Sequence, residues 1–233
     1  MLHLETGRIA GFEALLRWRH PTRGNVPPSD FIPLAEEAGL IAPIGAWVIR
    51  EACSAAARWP SDIRVCINVS AHQLRSRAIC SLVAKSLDAF GLSPDRLEIE
   101  ITESIFIGDH PLARQILGEL RGSGVRLALD DFGTGYSSLG YLRRLPFDRI
   151  KIDRSFVAEI ASDAGSQAIV KSVIGLAADL GMEVIAEGIE REIQLECLRR
   201  LGCGEIQGYL VGKPMSGERV RGFLDAWVHR KAA

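Results

Sequence analysis

The sequence predicts an α/β protein, a (β/α) barrel of parallel strands surrounded by helices. Seven short apolar stretches of strand character alternate with helical stretches along the chain. Four helical stretches are followed by glycines that end helices, namely Gly91, Gly122, Gly181 and Gly202. Polar residues stand near the carboxyl ends of the apolar stretches, where barrel enzymes assemble their sites. Seven strands at this spacing favour a barrel, and an open sheet is the alternative.

Each element is bounded by turn residues or by a change in apolar periodicity. The predicted strands are Ile9–Leu16, Ile63–Val69, Leu97–Thr102, Val125–Asp130, Arg149–Ile152, Glu183–Ala186 and Glu205–Gly208. The predicted helices are Trp47–Arg58, Leu74–Phe90, Leu112–Arg121, Gln167–Leu180, Ile193–Leu201 and Gly217–His229. No low-complexity segment or Gly/Ser linker interrupts this order, so residues 1–233 are predicted to form a single domain.

Composition narrows the possible partners and compartment. The 233 residues carry a net charge of −1, which gives no bulk attraction to polymeric nucleic acid or to a membrane. The five cysteines are odd in number and lack CxxC spacing, which is typical of reduced thiols in the cytoplasm. The apolar run Leu40–Ile49 is too short to span a bilayer, and no secretory signal precedes it. A cytoplasmic protein without a membrane segment is expected.

Acidic side chains are predicted to converge at one mouth of the barrel. They are Glu13, Glu100, Asp130, Asp131 and Glu187, five carboxylates with a formal charge of −5. Such a group in a partly dry site must take up protons or bind cations. The ligand atoms are hard oxygens, including the amide carbonyl of Asn68, and the five histidines show no ligand spacing. This chemistry favours two Mg²⁺ or Mn²⁺ ions, which stabilise in-line displacement at phosphorus.

Taken singly, polar residues near the strand ends also have ordinary structural explanations. Asn68 is typical of a helix cap, Asp130–Asp131 of a turn between strand and helix, and Lys151 of a surface ion pair. The joint occurrence of polar residues at six or seven strand ends favours a functional site instead.

Seven segments resemble, in order, the signature segments of the EAL-domain cyclic di-GMP phosphodiesterases. They are FEALLRWRHP, INVS, EITES, LDDFGTGYSSL, IKID, AEGIE and QGYLVGKP, and the resemblance extends from Thr6 to Met215. It implies a TIM-like barrel that hydrolyses cyclic di-GMP to linear pGpG with a water activated by two metal ions.

The resemblance also implies a role for each residue of the site. The implied metal ligands are Glu13, Asn68, Glu100, Asp130, Asp131 and Glu187, with Asp130 bridging the two ions. Lys151 and Gln207 match residues beside the attacking water and, with Glu13 and Glu187, form the implied catalytic set. Arg17 matches a residue that binds the substrate phosphate, and Gln207 is also an implied substrate contact. Glu103 matches the residue that stabilises the loop Phe132–Leu139, through which family members form homodimers.

One departure concerns the first strand. Family members begin with a strand before the TGRIAGFEALLRW hairpin, and this sequence begins at Met1 without it, so the domain is N-terminally short. Removal of a barrel strand exposes unpaired backbone groups. We expect the gap to be covered by residues 1–5, by a neighbouring subunit or by a rearranged barrel.

Two further functions remain as alternatives. The domain would be a non-catalytic cyclic di-GMP receptor or interaction module if the missing strand abolished turnover. A barrel enzyme with a Schiff-base lysine at Lys151 is the more distant alternative, which the ring of carboxylates disfavours because it offers no apolar pocket.

Overall fold

The computed structural model describes residues 1–103, 111–133, 142 and 144–232, and it confirms the α/β barrel. In this part of the chain the strands are β1 (Leu2–His3), β2 (Gly11–Ala14), β3 (Trp18–His20), β4 (Gly24–Val26), β5 (Arg64–Asn68), β6 (Leu97–Thr102), β7 (Arg126–Phe132), β8 (Arg149–Ile152), β9 (Glu183–Ala186) and β10 (Glu205–Ile206). The helices are α1 (Pro28–Glu37), α2 (Ile41–Ala56), α3 (Ala78–Phe90), α4 (Pro111–Gly122), α5 (Arg154–Ala158), α6 (Ala164–Asp179), α7 (Glu192–Leu201) and α8 (Val220–Ala232).

Eight of these strands form one nearly closed sheet in the order β1-β10-β9-β8-β7-β6-β5-β2, and β3 and β4 form a separate hairpin. Neighbouring strands from β2 round to β10 are parallel, and β1 is antiparallel to β10. The carboxyl ends of the seven parallel strands therefore meet at one mouth of the barrel, as the sequence predicts.

The side of the barrel between β10 and β2, here called the gap, is where the sequence predicts a missing strand. We call the half of the gap nearest the mouth its upper half and the other its lower half. Met1 to Leu4 lie in the lower half. Leu4 donates its backbone N–H to Gly204 on one side, and Ala10 donates to the carbonyl of Met1 on the other. Across the upper half, no backbone hydrogen bond joins Phe12–Ala14 to β10 within the described residues. The N-terminal residues thus cover half of the gap, and the half nearest the mouth has no strand pairing.

The last helix covers the outside of the gap. The Phe223 ring of α8 packs against Phe12, with ring centroids 6.0 Å apart, and Trp227 donates its indole N–H to the carbonyl of Gly7 at 3.0 Å. These contacts partly bury the outer face of β2 without supplying a strand partner.

Strand β6 illustrates how the barrel is filled. It is buried on both faces. Leu97, Ile99 and Ile101 belong to the apolar core shared with the helices, whereas Glu98 and Glu100 on the opposite face are fully buried inside the barrel. Because side chains alternate along a strand, a strand with apolar residues outside carries its polar residues into the barrel.

Several predicted boundaries were wrong, and prolines account for the largest differences. Helix α2 begins at Ile41, not at Trp47, because Pro43 lies in the first turn, where a backbone N–H has no partner in the helix. Helix α1 was not predicted, since it contains two prolines and follows a third at its N-cap, although Pro28 occupies the favourable first helical position. The hairpin β3–β4 was also missed.

All five cysteines are free and buried, as the sequence predicts. Within the described residues, no helix is both long enough and apolar enough to cross a bilayer.

Candidate active site at the barrel mouth

The predicted carboxylates surround the Lys151 ammonium at the carboxyl ends of the strands. The Nζ atom lies 2.8 Å from Glu100 Oε2, 3.0 Å from Asp130 Oδ1, 2.8 Å from Glu187 Oε1 and 4.0 Å from Glu13 Oε2. Lys151 and Glu100 are almost fully buried. We call Lys151 and these four carboxylates the upper cluster. One positive charge faces four potential negative charges.

Glu13 is held in the upper cluster from both sides. Asn68 on β5 donates its side-chain N–H to Glu13 Oε1 at 2.6 Å, and Gln207, just after β10, donates to Glu13 Oε2 at 2.6 Å. The bond from Gln207 spans the upper half of the gap, where backbone pairing is missing. Because Asn68 uses its amide nitrogen for this bond, its amide carbonyl oxygen remains as the atom that could bind a metal ion.

A bulge explains why two adjacent aspartates serve one site. In a regular strand, Asp130 and Asp131 would point to opposite faces. The pairing of β7 with β8 shifts register between Leu129 and Phe132, and Asp131 adopts a positive φ of 54°. Carboxylate oxygens of Asp130, Asp131 and Glu187 consequently lie within 4.8 Å of one another.

Burial and mutual repulsion disturb the titration of the acids. Burial, together with the charges of Glu13 and Asp130, raises the pKa of Glu100 well above its usual value despite the nearby Lys151. Burial likewise raises the pKa of Glu187 to about 7. The pKa of Asp131 is also raised, by burial and by the charge of Asp130. Without cations, this mouth therefore favours bound protons at neutral pH.

Glu13 and Lys151 behave in the opposite way. Burial opposes the ionisation of Glu13, but Lys151 and the hydrogen bonds from Gln207 and Asn68 outweigh it, so the pKa of Glu13 is lowered. Burial also opposes protonation of Lys151, but the surrounding carboxylates raise its pKa well above the usual value. The carboxylates thus favour the ammonium form of Lys151, and a Schiff base requires the free amine.

Two buried oxygens of the mouth have no hydrogen-bond partner within the described residues, Oε1 of Glu100 and Oε1 of Gln207. Buried acceptors without a partner are costly, and they mark a place for a bound cation or polar ligand. The donor set of carboxylate and amide oxygens fits Mg²⁺ or Mn²⁺.

Comparison with known proteins agrees with this geometry. The family model described as the EAL domain matches residues 1–214. The chain belongs to the EAL-domain family. The cyclic di-GMP phosphodiesterase PA2567 of Pseudomonas aeruginosa is 41% identical over 232 residues, which are 98% of this chain and 39% of that protein. The chain spans about a quarter to two-fifths of the length of the curated relatives it matches.

Solved structures of EAL domains match the barrel closely. The MucR phosphodiesterase of Pseudomonas aeruginosa, in complex with cyclic di-GMP, superposes with a TM-score of 0.88 at 43% identity, covering 94% of this chain and 90% of that chain. The manganese and cyclic di-GMP complex of BlrP1 from Klebsiella pneumoniae gives a TM-score of 0.79 at 34% identity, covering 93% of this chain and 54% of that chain.

Arg17 and Glu103 of the EAL domain belong neither to the upper cluster nor to its neighbours Asn68, Asp131 and Gln207. Arg17 is exposed, donates to the carbonyl of Leu16 at 2.9 Å, and lines a largely apolar cavity of about 860 Å³ that reaches Asn68 and Glu100. Glu103 accepts a hydrogen bond from the backbone N–H of Gly133 at 2.9 Å. The predicted dimerisation loop Phe132–Leu139 lies outside the described residues beyond Gly133.

Sequence reasoning missed a second charged group lower in the EAL barrel. We call it the lower ion cluster, and it consists of Arg64, Glu98, Arg126, Arg149, Glu183 and Glu205. Arg149 is fully buried and contacts three of the glutamates at 2.6–3.3 Å. The signal was present in the sequence, because Glu98 and Arg149 precede Glu100 and Lys151 by two residues and share their faces of the strands.

Proposed function

We propose that this EAL domain hydrolyses cyclic di-GMP to linear pGpG with two bound Mg²⁺ or Mn²⁺ ions. The observation that carries this proposal is the excess of carboxylates around Lys151. It occurs in a chain that is 41% identical to the cyclic di-GMP phosphodiesterase PA2567. The arrangement has a formal charge of −3 when all four acids are ionised, and two dications would offset it.

The side chains that would hold the ions are those that offer oxygen atoms to the mouth, namely Glu13, Asn68, Glu100, Asp130, Asp131 and Glu187. The bulge at Asp131 supports this assignment, since it directs two neighbouring carboxylates to one place. Such ions, when bound, lower the pKa of a coordinated water and stabilise charge on a phosphoryl oxygen.

The other residues would act on the substrate and the water or would hold the groups that do. Lys151 is a buried ammonium that would orient the water and offset negative charge developing on phosphorus. The amide of Gln207 holds Glu13 with its N–H and presents an unpartnered carbonyl oxygen. Arg17, on the cavity wall, would bind a substrate phosphate. Glu103 would hold the loop after Asp131 through Gly133.

Purified chain incubated with cyclic di-GMP and Mg²⁺ or Mn²⁺ tests the proposal by chromatographic detection of pGpG. We expect turnover that EDTA abolishes and that Glu13→Ala reduces by several orders of magnitude. Glu5→Ala, at an exposed residue away from the mouth, is the matched control and should retain activity. Full turnover by Glu13→Ala would contradict the site assignment.

A cyclic di-GMP receptor without turnover is the second candidate, favoured by the unpaired upper half of the gap. Calorimetric binding of cyclic di-GMP without formation of pGpG in the presence of either metal would select it over the enzyme.

A further inference from the structure

The turn after β10 contains a backbone contact that only glycine permits. A Cβ atom at Gly208 would lie 2.1 Å from the carbonyl oxygen and 2.3 Å from the nitrogen of Ile189. Gly208 does not have a positive φ, so the conflict is purely steric. Since the obstructing atoms belong to the backbone, they cannot move aside as a flexible side chain would.

The backbone of Ile189 is hydrogen-bonded on both sides. Its N–H donates to the carbonyl of Gln207 at 3.1 Å, its carbonyl accepts from Leu210 at 3.0 Å, and its side chain is fully buried. The segment Gln207–Leu210 therefore wraps around the backbone of a single residue, Ile189, with Gly208 packed directly against it.

This contact lies between two groups of the proposed active site. Glu187 is two residues before Ile189, and Gln207 is the residue before Gly208. Gln207 reaches across the gap to Glu13, and no strand pairing in the described chain supports that crossing. The backbone of Gln207 bonds to Ala186 at 2.8 Å and to Ile189 at 3.1 Å, so the close approach at Gly208 acts together with these bonds in placing the Gln207 amide beside Glu13.

We propose that Gly208 is a positioning residue, whose backbone contact with Ile189 sets Gln207 so that its amide holds Glu13 across the unpaired half of the gap. This inference rests on the proposed phosphodiesterase activity. A Cβ at position 208 would separate the two turns and draw Gln207 away from Glu13. A displacement of about 1 Å in such a group costs on the order of 100-fold in rate.

The test compares Gly208→Ala with Gly204→Ala, at the opposite end of β10. A Cβ at Gly204 would meet only the Val184 carbonyl at 3.6 Å, an ordinary contact. We expect Gly208→Ala to lower kcat/KM for cyclic di-GMP on the order of 100-fold, and Gly204→Ala to leave it unchanged. Circular dichroism and urea unfolding establish that both variants are folded.

A double-mutant cycle separates positioning from general structural damage. If Gly208 acts through Gln207, adding Gly208→Ala to Gln207→Ala causes no further loss of activity. Independent losses that multiply in the double variant would overturn the proposal, as would wild-type activity in Gly208→Ala or a Gly208→Ala chain that does not fold.

Amide hydrogen exchange on the wild-type chain provides a measurement that needs no variant. The N–H groups of Ile189 and Leu210 should exchange as slowly as those of the barrel strands, and rapid exchange would overturn the proposal because a loose contact cannot position Gln207. Absence of hydrolysis by the wild-type chain would instead reject the phosphodiesterase assignment, so the two failures are distinguishable.

Discussion

The barrel contains two charged groups, one above the other, that differ in how their charge is balanced. In the lower ion cluster, three arginines face three glutamates, and the six side chains are linked by contacts of 2.6–3.3 Å. In the upper cluster, a single lysine faces four carboxylates. On β6 and on β8 the two groups stand two residues apart, with Glu98 below Glu100 and Arg149 below Lys151.

The pKa values of the glutamates in the two groups reflect this difference in charge balance. In the lower ion cluster, the arginines outweigh the effect of burial on Glu183 and lower its pKa to about 2. In the upper cluster, burial and neighbouring carboxylates raise the pKa of Glu187 to about 7. Removing one partner of a neutralised buried pair destabilises a fold because it leaves an uncompensated charge, whereas a surplus of one sign marks a candidate site whose counter-charge comes from a ligand. The comparison thus assigns structure to the lower group and ligand binding to the upper one.

The sharpest test removes one charge from each level of the same strand. Glu98→Gln removes one carboxylate partner from Arg149 and one from Arg126. Breaking a buried ion pair costs about 3–5 kcal/mol. We expect a loss of stability near the lower end of that range, because both arginines keep their contact with Glu183. Glu100→Gln in EDTA should be about neutral, because the raised pKa of Glu100 already favours an uncharged carboxyl there and Lys151 keeps three carboxylates. Urea unfolding at pH 7 measures both.

Equal destabilisation by the two substitutions would contradict the comparison, since it would mean that the two levels are balanced alike. Arg8→Gln, which breaks the exposed pair with Asp62, is the control and should cost less than about 1 kcal/mol.

Divalent cations should stabilise the fold through the upper cluster and not through the lower ion cluster. Mn²⁺ or Mg²⁺ at a concentration 100 times its dissociation constant should stabilise the fold by about 2.7 kcal/mol, because the ions bind the folded upper cluster. Asp130→Asn should abolish most of this gain, whereas Glu98→Gln should retain it on a less stable background. The thermal midpoint with and without metal is the measurement, and a gain that survives Asp130→Asn would place the ions elsewhere.

Strands were easier to predict from the sequence than the helices of the first third of the chain. Leu97–Thr102, Arg149–Ile152 and Glu183–Ala186 were predicted with the boundaries they have, because turn residues bound short stretches rich in β-branched residues. Helix α1 was missed because tertiary packing of Phe31 and Ala35 outweighs the breaker signal of its prolines.

The sequence predicted the members of the upper cluster but not how they are held. Glu13, Glu100, Asp130, Lys151 and Glu187 converge as the barrel requires, since each lies at a strand end. The bulge at Asp131, the crossing of the gap by Gln207 and the close approach at Gly208 depend on contacts between segments distant in sequence. Such contacts leave no local pattern from which they could be inferred.

The pH dependence of stability should have opposite signs at the two levels. In EDTA, the raised pKa of Glu187 means that its contribution to stability is present below about pH 4.5 and is lost as the pH rises through about 7. Wild-type stability minus that of Glu187→Gln should therefore fall over this window, as measured by urea unfolding. A difference that does not change with pH would show that Glu187 ionises normally and that the mouth holds no surplus of charge. Saturating Mn²⁺ should abolish the slope.

Glu183 in the lower ion cluster provides the smallest and opposite effect. Its pKa is lowered to about 2, so its contribution to stability is present above about pH 4.5 and is lost as the pH falls through about 2. Its side chain is 50% exposed, and solvent screening keeps the contribution modest. Wild-type stability minus that of Glu183→Gln should decrease on acidification from pH 4.5 to 2, independently of metal. If the slope required bound Mn²⁺, or had the sign expected for Glu187, the lower ion cluster would not be the self-neutralised group that its contacts describe.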